Sequence, residues 1–105
     1  MYVPTAIAHQ AQFEVTVAQA AQLLPSYVLS VTPTLGSDWS GEPAVFFMVI
    51  LSDTASRRDQ LFKVTNEVSN AIVRQVQPLE RWGVLPYFNF RSHTEQATID
   101  RKSVA

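Results

Sequence analysis

Eight consecutive apolar residues, AVFFMVIL over 44–51, stand between two polar turns. Their β-branched and aromatic character and their length predict a buried strand. Upstream, SYVLSVTPT over 26–34 alternates, with Tyr27, Leu29 and Val31 on one side and Val28, Ser30 and Thr32 on the other. This is the period of a half-buried strand. The intervening LGSDWSGEP, residues 35–43, supplies Gly36, Gly41, Pro43 and an Asp/Ser cluster, so the two strands are expected to form a hairpin with a long loop.

Helical spacing appears twice. Val17, Ala20, Ala21 and Leu24 recur along one face, Thr16 and Gln19 have the spacing of a capping box, and Pro25 closes the segment. The second pattern is longer: Leu61, Val64, Val68, Ile72, Val76 and Leu79 form a stripe widened by Phe62 and Val73, opposite Lys63, Glu67, Asn70, Arg74 and Gln77. Ser56 is the expected N-cap, Asp59 lies in the first turn, Pro78 should disturb the last turn and Gly83 fits the C-terminal end. In PYFNFRS, residues 86–92, Phe88 and Phe90 fall on one face and Tyr87, Asn89 and Arg91 on the other, which predicts a third strand opened by Pro86. Residues 1–13 have no committed pattern, and 92–105 read as a polar tail, frayed or briefly helical.

The order helix, hairpin, long helix, strand predicts one α+β domain over residues 1–105 with a three-stranded mixed sheet. A right-handed crossover through the long helix makes the third strand parallel to the second and places the short and long helices on one face. Phe46, Met48 and Ile50 are then assigned to the helices. Val45, Phe47, Val49 and Leu51 are assigned to the opposite, open face, where each would forgo about 1.5–3 kcal/mol of burial. A contiguous apolar patch of that kind marks an interface. The candidate occupants are a second copy of the chain, a cognate protein, or the N-terminal segment folding back through AQFEV.

Composition sharpens this picture in one respect. Charged residues are 16% of the chain, below the roughly 25% usual for globular domains, which favours association. Every Lys and Arg lies from Arg57 onward; residues 1–56 carry four carboxylates and no cation, a balance of −4, and the remainder stands at +3. There is no cysteine, hence no disulfide framework and no thiolate chemistry. The opening residues lack the pattern of a secretory signal, and eight apolar residues fall short of the roughly 20 that cross a bilayer as a helix, so a cytoplasmic protein without a membrane segment is expected.

No motif of catalysis stands out, and no catalytic residue, metal or cofactor is assigned. His93 and Glu95 lack a third ligand at metal-site spacing. Asp38, Glu42 and Asp53 read as turn residues at the ends of the second strand. Trp39 is different: at a loop tip it is either folded onto the hairpin or an anchor for a partner, and tryptophan is enriched among binding hot spots. Trp82 is expected to pack the helix end against the sheet. Trp39, Val45, Phe47, Val49 and Leu51 are the candidate partner-binding residues. An alternative set, Arg74, Arg81, Tyr87 and Arg91, combines cations with an aromatic and suggests RNA, against which stand the pI of about 6.0 and the carboxylates interleaved among the cations.

The helix, hairpin, long helix and Pro-led strand LPYFNF, over residues 16–91, resemble the KH-like fold of the ribosome-binding factor A type, without its Gly-x-x-Gly loop or basic balance. DWSGEPAVFF, LSD and LERWGVLPYFNFRSHTEQA resemble short bacterial proteins of two-gene, toxin–antitoxin or defence-like units. The first resemblance implies an RNA- or ribosome-associated module. The second implies a non-enzymatic, antitoxin-like or adaptor role exercised through a protein partner or a homodimer.

Overall fold

A computed structural model describes residues 3–103. Two consecutive helices, α1 (Thr5–Ala8) and α2 (Gln10–Gln22), lead into the hairpin of β1 (Val28–Ser37) and β2 (Pro43–Leu51). The long helix α3 (Arg58–Val76) is followed by the short α4 (Pro78–Trp82), the strand β3 (Leu85–Ser92) and a last helix α5 (His93–Ser103). The sheet has the order β1-β2-β3, with β1 antiparallel and β3 parallel to the central β2. The α+β class and the three-stranded mixed sheet are therefore as expected from the alternation.

The helical layer packs on the β2 row Val45, Phe47, Val49 and Leu51, each with no exposed surface, and not on the row of Phe46, Met48 and Ile50. This reverses the expected assignment of the two faces. Both rows of β2 are apolar, so alternation along β2 cannot choose between them. Its neighbours do: Phe47 and Val49 stand beside Phe88 and Phe90, whereas Met48 and Ile50 stand beside Asn89 and Arg91, and Phe46 and Met48 face Thr34 and Thr32 of β1. Ranking whole faces by apolarity puts Val45, Phe47, Val49 and Leu51 inside.

The N-terminal helices close that face. Phe13 is fully buried in one cluster with Val17, Ala20, the inner row of β2 and Val64, Val68, Ile72 and Val76 of α3. Trp82 meets the Phe13 ring edge-on at 5.2 Å and 65°, so it packs on α2 within the cluster that includes the inner row of β2. Leu61, Phe62 and Leu79, expected on the stripe of the long helix, are exposed.

Thr16 lies within α2, donating from Oγ1 to the Gln12 carbonyl at 3.0 Å, and caps nothing. Ser56 donates to the Ser52 carbonyl, and Arg57 takes the N-cap position of α3. Pro78 does end the long helix: Gln77 adopts a left-handed conformation (φ 52°), Pro78 opens α4, and Gly83 (φ 69°) terminates it. The polar segment after β3 is helical. Ser92 Oγ accepts from the Glu95 amide at 3.0 Å while Glu95 Oε1 accepts from the Ser92 amide at 3.3 Å, a reciprocal capping box. Asp53 adds a second tie, accepting from the amide and hydroxyl of Thr94. Among the described residues no helix is long and apolar enough to cross a membrane.

Candidate functional site

The face of the sheet turned away from α2 and α3 carries Phe46 and Met48 from β2, Thr32 and Thr34 from β1, and Tyr87, Asn89 and Arg91 from β3. Phe46 is 39% exposed and stacks on Tyr87 at 5.4 Å between centroids and 21° between planes. At one end of this face Ile50 is nearly covered, and Arg91 donates to Gln96 of α5 at 3.1 Å, so the last helix reaches that corner. At the other end stands the hairpin loop.

The loop is built around one carboxylate. Asp38 Oδ1 accepts from the Ser40 amide (2.9 Å), the Ser40 hydroxyl (2.7 Å) and the Glu42 amide (3.0 Å), and Oδ2 accepts from the Tyr87 hydroxyl at 2.8 Å. Aspartate is suited to this work because its short side chain reaches backbone donors two residues on. Gly41, at φ 88°, makes the reversal that an L side chain would resist. The bonds from Ser40 and Tyr87 favour the charged form and hold the Asp38 carboxyl at about 2 instead of its ordinary 3.8. The same contact raises the Tyr87 phenol. Trp39 sits on this braced loop with 93% of its surface exposed.

Of the residues expected to bind a partner, Trp39 is accessible. Val45, Phe47, Val49 and Leu51 are core residues, and their place on the open face is taken by Phe46 and Met48, which sequence reasoning assigned inward. The signal that could have found them is the polar run Tyr87, Asn89 and Arg91, which shares their face across the parallel register. The alternative RNA-binding set divides: Tyr87 and Arg91 lie on the open face, whereas Arg74 and Arg81 are exposed on α3 and α4 in the helical layer. Among the described residues no group of three His, Cys, Asp or Glu side chains is placed to hold a metal ion.

The arrangement offers aromatic and apolar contact area from Phe46, Met48 and Tyr87 with few charges. Comparison of the chain with known protein families, curated proteins and solved structures gives no match.

Proposed function

We propose that this chain is a non-enzymatic protein-binding module that docks through the open face of its sheet, with Phe46, Met48 and Tyr87 as the platform and Trp39 as the anchor. The observation that carries the reading is the almost complete exposure of Trp39 on a loop held by four hydrogen bonds to Asp38. A large apolar side chain on a rigid support loses little conformational freedom when it enters a partner's pocket. The partner is a second copy or a cognate protein, and the most concrete version is an antitoxin-like or adaptor role inside a bacterial cell, beside the product of an adjacent gene. The test is the mass of the purified protein by light scattering over a dilution series, alone and with that adjacent product. Association is expected for the wild type and lost in Trp39→Ala combined with Phe46→Asp, at unchanged urea stability. Absence of any association by the wild type, or undiminished association by the double variant, overturns the reading.

A KH-like RNA-binding role is the second reading, favoured by the Phe46–Tyr87 stack on a face that carries Arg91 at its other end, since bases stack on aromatics and arginines. The Asp38 and Glu42 carboxylates at the same end of the face work against it. RNA retention that falls steeply with salt would support it.

A further inference from the structure

Besides the open face, the sheet has a free edge. β1 is the outer strand and has no strand partner on its far side among the described residues. Alongside that edge runs a groove of about 450 Å³, walled by Ile7 of α1, by Gln10, Phe13 and Glu14 of α2, and by residues 33–37 of β1. Its accessible apolar surface comes from the half-buried Leu35 and from Ile7, 45% exposed at its rim, with the fully buried Phe13 beneath them. An unpaired edge beside an apolar groove is the arrangement that receives an extended peptide as an added strand, with main-chain bonds to the edge and alternate side chains in the groove. Pro33, which has no N–H to offer, restricts the useful edge to the residues that follow it.

The charge of the walls selects the occupant. All the lining residues come from residues 3–56, which contain no Lys or Arg. Glu14 lines the groove with only a long 3.4 Å contact from Gln10, and the edge continues past Ser37 into the loop bearing Asp38, Trp39 and Glu42. Among the described residues the one ion pair is Arg57–Asp59, so none of these carboxylates is paired with another described charge. Two copies paired edge to edge through β1 would bring carboxylates of like sign toward each other. An occupant with Lys or Arg would meet them with opposite sign, and its cation can also rest on the exposed Trp39 indole.

We propose that this groove binds an extended, Lys- or Arg-bearing segment of a partner protein as a fourth strand along Thr34–Ser37. The inference is separate from the docking role given to the sheet face and uses different residues apart from Trp39. It is tested by titrating the full chain, followed by amide NMR, with a short acetylated peptide alternating lysine and valine, and with its glutamate–valine counterpart. Saturable shifts and slowed amide exchange centred on residues 34–37 are expected with the lysine peptide only. The exposed substitution Glu14→Lys should weaken binding by roughly tenfold, the loss of about one charged contact, and Ile7→Lys should weaken it further, both at unchanged fold. Equal binding of the glutamate peptide, shifts confined to Phe46, Met48 and Tyr87, no saturation, or protection of residues 34–37 that depends on protein concentration without peptide would each overturn the proposal. The last result would assign the edge to a second copy.

Discussion

Asp38 does more for the geometry of the exposed loop than any other side chain. Its carboxylate gathers donors from Ser40, Glu42 and Tyr87 and so fixes both the turn and its distance from β3. Because its folded pKa of about 2 lies below the ordinary 3.8, its contribution is fully present above pH 3.8 and is lost as pH falls through about 2. Asp38→Asn keeps an acceptor for Tyr87 but removes the charge, so the Tyr87 phenol should titrate closer to its ordinary 10.0. Tyrosinate absorbance compared between the two proteins measures this. An unchanged Tyr87 titration would show that the contact does not persist in solution. Trp39, which makes no use of that charge, should keep the emission of a solvated indole in both.

Between elements, the ends are set by specific residues, and these were unevenly legible. Pro78 and Gly83 announced their breaks because proline and glycine act through backbone geometry that no tertiary context changes. Thr16 and Ser56 have cap-forming side chains and the right spacing, yet the helices begin elsewhere: both hydroxyls bond back to a carbonyl four residues earlier, Thr16 inside α2 and Ser56 in the turn before α3. The pattern Ser92-His93-Thr94-Glu95 was a genuine capping box within what read as a tail, hidden because the helix it starts is polar and lacks an apolar stripe. Ser92→Ala should cost about 0.5–2 kcal/mol in the docking of α5, seen as faster amide exchange in residues 93–103 with α3 unaffected. The Asp53 carboxyl is held below its ordinary value chiefly by the Thr94 hydroxyl, so acid should loosen the same helix as pH falls below the normal carboxylate range.

For the molecule as a whole, the question was which face of β2 the chain could close for itself. Fold class and strand order followed from periodicity, but the choice of face did not, because a strand apolar on both sides carries no direction and the residues that decide it lie on β1 and β3. Of the three occupants offered for that face, it is the N-terminal segment through AQFEV that closes it: Phe13, from the unpatterned residues 1–13, joins Val17 of the predicted helix in the core. Phe47→Asp is therefore expected to unfold the chain, since a fully buried ring is replaced by a charge with no partner and such changes cost more than about 4 kcal/mol of a total near 5–15. Phe46→Asp should leave the fold intact. Circular dichroism melts of the two variants separate the cases, and a folded Phe47→Asp protein would contradict the packing described above.

The central position of β2 has a consequence for biosynthesis. Its antiparallel neighbour precedes it along the chain, but its parallel neighbour begins at Leu85, beyond the whole of α3 and α4. During translation the segment 44–51 therefore emerges with one side unpaired and stays so until β3 leaves the ribosome. It is uncharged, β-prone and without an internal proline, the composition from which aggregates nucleate. The run of cations and carboxylates that follows at once, Arg57, Arg58, Asp59 and Lys63, stands where gatekeeper charges protect such a segment until the sheet is complete.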